Sequence, residues 1–234
     1  MVTIIMGVCA GILVVYAIQK PETGEDEEII ETFVARTKYL LIPVTAAIWF
    51  AVRHYYMGSA IVAIEMSVFF TFIIACAWTD AAYYTVPDRF TVTGLICAAC
   101  ISITNVLMAK TSPFTDVLGV LFGACTGAGA TYIVGWLGSI LFKKEAMGGG
   151  DMTFMAMAGA HLGPSKALLT IMVAAALGTC IAAPIVWALK IRRFRQPPAL
   201  YYIPFVVFLG PAAVITLVQG DKLIRLYQAF IGRF

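Results

Sequence analysis

Charge is scarce in this chain. Only 12% of its 234 residues are Asp, Glu, Lys or Arg, about half the share found in an ordinary soluble domain. With 61% of the residues hydrophobic, a single aqueous core cannot absorb the apolar surface, which excludes a soluble globular fold. The net charge of +3 is spread over basic residues that lie between apolar runs. No basic patch with aromatic platforms results, so no nucleic-acid partner is expected. The first apolar run has no basic segment before it and no small-residue cleavage site after it, so it reads as a retained anchor and not as a cleavable signal peptide. Histidine is limited to His54 and His161, and the CxxC of Cys97 and Cys100 has no second pair. No metal site and no cofactor are therefore expected. The six cysteines, Cys9, Cys76, Cys97, Cys100, Cys125 and Cys180, all fall inside apolar runs and read as small apolar filler.

What the sequence does have is apolar length. Hydrophobic segments cover 3–18, 38–55, 59–79, 90–109, 116–142, 152–162, 164–189 and 200–220, and most approach the ~20 residues with which a helix crosses about 30 Å of hydrocarbon. The expected fold class is all-α: a polytopic membrane helix bundle of about eight segments in one membrane-embedded domain, 1–234. The sixth segment is too short to span. At about 1.5 Å per residue it reaches halfway, as a half-helix that its neighbours must bury. In the fifth, Gly119, Gly123 and Gly127 recur every four residues and form a smooth stripe on which another helix can approach closely.

Basic residues orient the set. Placing the 19–37 loop in the cytoplasm also puts Arg89, Lys143, Lys144 and the Lys190, Arg192, Arg193, Arg195 cluster there, ten of the sixteen Lys and Arg in all. Both termini then lie outside. The cluster also suits anionic lipid headgroups. The loop itself is short and carries six acids between Glu22 and Glu31, a solvated cytoplasmic segment. At 221–234, Leu223, Leu226, Tyr227, Phe230, Ile231 and Phe234 recur at helical spacing opposite Lys222, Arg225 and Arg233, which predicts an interfacial amphipathic helix.

Acids are expensive near hydrocarbon, so the few at segment ends are the candidates for chemistry. Asp80 closes the third segment, Asp88 follows Pro87 before the fourth, and Asp151 follows Gly148, Gly149 and Gly150 at the start of the half-helix. Two spans separate Asp80 from Asp151, which returns the chain to the same membrane face and lets the two meet. Two carboxylates that share one proton can activate a water and polarise a peptide carbonyl. Asp151 begins a helix and Asp80 ends one, so the helix dipole favours the carboxylate at Asp151 and the acid at Asp80, within a pair that titrates as a unit. Three residues without a β-carbon before Asp151 permit close backbone approach and φ above zero. Glu65, inside the third segment, is the only deep acid. A small proton- or ion-coupled transporter, which would hold its acids at mid-depth, stays open as an alternative.

The context of these acids carries a resemblance. Residues 79–88, with Asp80 followed eight positions later by the Asp of Val86-Pro87-Asp88, resemble the first catalytic motif of the type IV prepilin peptidases. Gly148-Gly149-Gly150-Asp151 is similar to their GxGD motif, and the small-residue stretch 157–163 and the segment from Ile203-Pro204-Phe205 to Gly210-Pro211 look like those that follow it. The resemblance covers about residues 70–220. It implies that Asp80 and Asp151 are a catalytic aspartyl pair, with Gly148, Gly149 and Gly150 as motif residues and Pro87 and Asp88 as structural support. It also implies an endopeptidase in a bacterial inner or archaeal cytoplasmic membrane that removes the leader of prepilin, pseudopilin or preflagellin-like precursors at the cytoplasmic face, with pilus or secretion assembly components as further partners. Bacterial members usually carry a larger, often zinc-binding cytoplasmic domain after the first segment and many methylate the new N-terminus. The short 19–37 loop, which has no cysteine, implies a peptidase without methyltransferase activity. A presenilin-like intramembrane protease shares GxGD and is a second alternative beside the transporter; the spacing from Asp80 to Asp88 favours prepilin processing.

Overall fold

The structure is a computed structural model that describes residues 2–18, 37–55, 60–107, 117–143, 147–191 and 204–231. The acidic loop expected at 19–37, apart from its last residue, and the basic residues at 192, 193 and 195 lie outside the described residues. Among the described residues the chain forms eight α-helices and no strand, the all-α bundle that the apolar runs predict. They fall into two compact units, Met1–Thr85 and Val86–Phe234.

The first unit contains α1 (Val2–Ala17), a 3₁₀ turn (Lys38–Leu40) that leads into α2 (Leu41–Tyr55), and α3 (Ala60–Tyr83). Two glycines that the sequence reading did not single out build its first seam. A β-carbon at Gly7 would come within 2.7 Å of the Ala46 Cα, and one at Gly11 within 2.7 Å of the Ile42 Cα. Backbones therefore touch where side chains would otherwise hold them apart, as in other small-xxx-small membrane seams. The buried Thr45 hydroxyl lies in the same seam, 3.1 Å from the Gly7 carbonyl and 2.8 Å from the Leu41 carbonyl of its own helix. Trp49 Nε1 donates at 3.0 Å to Thr71 Oγ1, which ties α2 to α3.

The second unit contains α4 (Asp88–Leu107), α5 (Val117–Phe142), α6 (Gly149–Leu162), α7 (Pro164–Ile191) and α8 (Val206–Ile231). The short α6 is the expected half-helix. Its 14 residues cover about 21 Å, and it packs against all four of its companions. The glycine stripe of α5 finds its partner there. A β-carbon at Gly123 would fall on the Gly159 carbonyl and one at Gly127 on the Met155 carbonyl, so only hydrogen at these positions lets α5 and α6 run in backbone contact. Away from this contact α5 exposes Leu118, Leu121, Phe122, Ile133, Trp136 and Leu137, an apolar surface suited to lipid. The half-helix stops at Gly163, whose φ of 80° is left-handed, and Pro164 then opens α7 because a proline cannot continue the previous helix but suits a first turn.

Five helices, α3, α4, α5, α7 and α8, are long and apolar enough to cross a membrane, and they mark the chain as an integral membrane protein. Among the described residues α1 and α2 are shorter, with 16 and 15 residues. Most buried hydroxyls return to their own helix: Ser67, Thr79, Thr131 and Thr170 each donate to a carbonyl four residues back at 2.7–3.0 Å, which hides the donor from hydrocarbon. Thr170 also meets Thr216 at 2.7 Å, a buried link between α7 and α8.

Two boundaries differ from the sequence reading. The segment 221–231 is not a separate element: α8 runs through Gly220 without a break to Ile231. A β-carbon on Gly220 would rest 3.4–3.5 Å from the Lys166 stem, and the Lys166 ammonium donates at 3.1 Å to the Asp221 carboxylate. These contacts with α7 carry the helix past a residue of low helix propensity. The half-helix, for its part, begins three residues before the expected 152, because Gly149 and Gly150 adopt helical conformations.

Candidate functional site

Asp80 lies inside α3, in its last turn, and is only 6% exposed. The helix outlasts the predicted end at Thr79, since Thr79 turns its hydroxyl back onto the Ala75 and Cys76 carbonyls at 3.0 Å each. It closes at Tyr84, whose N–H donates at 2.9 Å to the backbone carbonyl of Asp80. Tyr84 has a φ of 53°, the left-handed conformation usual for glycine after a helix and costly for a residue with a β-carbon. Trp78 packs edge-on against Tyr83, ring centroids 5.8 Å apart, and stiffens this turn.

Asp151 lies at the opposite kind of helix end. Gly148 is extended (φ −78°, ψ 156°) and caps α6, and its N–H donates at 3.1 Å to Asp151 Oδ2. The carboxylate in the first turn thus reaches back to satisfy a donor ahead of the helix, as the acid of a capping box does. Asp151 is 9% exposed, so it is held in a nearly dry place by a hydrogen bond and by the positive end of the helix dipole.

The glycines do different work from one another. None of Gly148, Gly149 and Gly150 has a positive φ; among the described residues Gly163 is the only glycine that does. The expected conformational use is therefore not made, because the chain enters α6 directly from an extended cap. Close approach is made at Gly150 alone, where a β-carbon would meet the Val86 Cβ at 3.1 Å, whereas Gly149 faces open space.

The first motif is divided between the units. Asp80 belongs to Met1–Thr85, and Val86, Pro87 and Asp88 belong to Val86–Phe234. Within the second unit the structure brings Val86, beside Pro87 and Asp88, against the GGGD turn. Pro87 supplies the carbonyl that accepts from Phe90 N–H at 3.0 Å. Asp88 is the first residue of α4 and is exposed, a place where a carboxylate complements the helix dipole.

Gly159, which the sequence marks only as part of the small-residue stretch 157–163, and Met155, which it does not single out, matter because their carbonyls are the surface on which α5 rests. Their signal was present in Gly159, which sits opposite Gly123, but pairing two helices needs the register that tertiary structure supplies. His161 is a core histidine, 1% exposed, whose Nδ1–H donates to the Met157 carbonyl at 3.0 Å. Glu65 is buried in α3 at 3% exposure. All six cysteines are free.

Residues 67–183 match the model of the type IV leader peptidase family, a region that includes both Asp80 and Asp151. Among curated proteins, the chain is 33% identical over 119 residues to a prepilin leader peptidase/N-methyltransferase of Pseudomonas aeruginosa, which covers 51% of this chain and 39% of that protein. A protein of the same name from Xanthomonas campestris pv. campestris is 28% identical over 162 residues, 69% of this chain and 52% of the relative. Another from Pseudomonas putida is 25% identical over 195 residues, 83% and 63% of the two chains. The chain thus spans less than two thirds of the length of each of these relatives. No solved structure gives a significant match.

Proposed function

Since the chain belongs to the type IV leader peptidase family, we propose that it is a membrane aspartyl endopeptidase that removes the leader of prepilin-like or pseudopilin-like precursors, with Asp80 and Asp151 as its catalytic pair. The observation that carries this reading is the setting of Asp151: a nearly buried carboxylate, fixed by the Gly148 N–H at 3.1 Å, in the first turn of an enclosed half-helix. An acid that only capped a loop would gain nothing from being built into a bundle with so little exposure. Asp80 supports it as a second buried acid at the end of a spanning helix.

In this mechanism one carboxylate is ionised and takes a proton from the attacking water, while the other, protonated, donates a hydrogen bond to the scissile carbonyl. The N-terminal position and the Gly148 hydrogen bond favour Asp151 as the ionised member; Asp80, near a helix C-terminus, is the proton carrier. After attack the proton on Asp151 passes to the leaving amine. The pair faces the cytoplasm on the distribution of Lys and Arg, where the leader joins the hydrophobic helix of its precursor. No methyltransferase activity is assigned, because the 19–37 segment is short and lacks cysteine.

The test is cleavage of candidate precursors by the chain reconstituted in lipid vesicles, with the product ends mapped. Asp80→Asn and Asp151→Asn should each lose cleavage while still inserting. Cleavage that survives either change would sink the aspartyl pair, and cuts inside the precursor's hydrophobic helix would favour a presenilin-like activity over leader removal.

A further inference from the structure

Two polar side chains on α4 have no use in the reading above. Ser102 is 1% exposed and Asn105 8%, and neither Ser102 Oγ nor Asn105 Nδ2 has a hydrogen-bond partner among the described residues. They stand three residues apart and so share one face of the helix. Their neighbours behave differently: Thr91 and Thr104 of the same helix donate to the Asp88 and Cys100 carbonyls at 3.1 and 2.7 Å. A buried donor left without an acceptor is destabilising unless a further group or an ordered water meets it.

The packing register shows where the pair lies. Near its start, α4 meets α6 where Val86 approaches Gly150, and one level deeper Ala98 packs in the same cluster as Ala160 and Val120. The two helices therefore run in the same direction and in step. From Ala98 the chain of α4 continues one turn to Ser102 and about another to Asn105. From Ala160, α6 continues only to Leu162 before the Gly163 turn. The pair thus lies past the tip of the half-helix, at the level where α6 has ended.

That tip is a helix C-terminus. Of its last four carbonyls, Gly159's accepts from Gly163 N–H at 2.7 Å, and helix geometry points the others beyond Leu162. The end is partly negative, which disfavours an anion, and an amide NH₂ repels a cation. A water molecule fits both sides, because it can accept from Asn105 Nδ2–H and Ser102 Oγ–H and donate to the carbonyls at the tip.

We propose that Ser102 and Asn105 bind ordered water at the buried C-terminal tip of α6. This water stands in for the protein that a longer helix would have supplied, and it satisfies the polar groups at the tip. The site lies at the end of α6 away from Asp151, so it stands whether or not the proposed peptidase activity does.

Two measurements on the intact chain in lipid test it. A structure at a resolution that shows water should place density within hydrogen-bond distance of both Asn105 Nδ2 and Ser102 Oγ. Dry apolar packing there, or direct bonds from both groups to protein carbonyls, overturns the proposal. Thermal unfolding of Asn105→Leu, which keeps volume but removes the donor, should show a fall in Tm of about 2–4 °C, because the water loses its anchor and the tip its partner. A rise in Tm would mean that the amide had been buried unsatisfied, and overturns the proposal as well.

Discussion

The two acids occupy opposite ends of two unlike helices, and the chain secures them by different atoms. At Asp80 the helix end is closed by the backbone carbonyl, which accepts from Tyr84 N–H at 2.9 Å. At Asp151 the helix start is closed by the side chain, which accepts from Gly148 N–H at 3.1 Å. A change of side chain at position 80 leaves its backbone cap intact; loss of the side-chain acceptor at position 151 removes the cap there. The supports differ too. Asp80 sits near the end of a helix of 24 residues, whereas Asp151 sits on one of 14, whose position depends on the contact of Gly123 and Gly127 with the Gly159 and Met155 carbonyls. The backbone closes the helix at Asp80, whereas at Asp151 the proposed chemistry and the cap share one group.

The largest expected effect treats the two alike. Asp80→Asn and Asp151→Asn should each lower the rate of precursor cleavage by about 10²–10⁴-fold in a reconstituted assay, with normal membrane insertion. A tenfold or smaller loss at either position would remove that acid from the catalytic role. Next comes the seam beneath Asp151. Gly123→Ala places a methyl on the Gly159 carbonyl, and overpacking of this kind costs about 1–3 kcal/mol, read as a lower Tm together with reduced cleavage. Gly129→Ala, on the same helix but with nothing within 4 Å of its would-be β-carbon, should leave both unchanged.

The contrast between the caps predicts a smaller, asymmetric effect. Asp151→Ala should lose about 0.5–2 kcal/mol of stability relative to Asp151→Asn, which keeps an acceptor for Gly148 N–H. At position 80 the Ala and Asn variants should differ less, and equal gaps at both positions would show that the contrast in capping does not govern stability. Smallest is the strain at Tyr84. Tyr84→Gly removes the β-carbon from a left-handed residue at 53° that is half exposed, and should raise stability by up to about 1 kcal/mol, seen as a small rise in Tm.

The order of helices and the shortness of the one after Asp151 were legible in the sequence because both follow from apolar length. Asp80 and Asp151 stood out for a related reason: acids at the ends of such runs are too costly to be incidental. Boundaries were less legible. Gly149 and Gly150 look like a loop by composition, yet they form helix because the Asp151 carboxylate caps the turn. The charge-rich stretch after Gly220 looks like a new element, yet it continues α8, with Lys166, 55 residues away, paired to Asp221. The stripe of Gly119, Gly123 and Gly127 announced a close helix contact without naming its partner, and Gly7 and Gly11 passed unnoticed in a run that reads simply as an anchor.

By itself, then, the sequence determined that this is a helical membrane protein with a half-helix opened by Gly148, Gly149, Gly150 and Asp151, since hydrophobic length and the cost of buried charge are properties of local composition. Only tertiary structure decided which helices touch, where α6 begins and ends, that Gly123 answers Gly159, and that Ser102 and Asn105 are buried. Those outcomes depend on register between distant segments, and register is set by which surfaces can approach without a side chain between them.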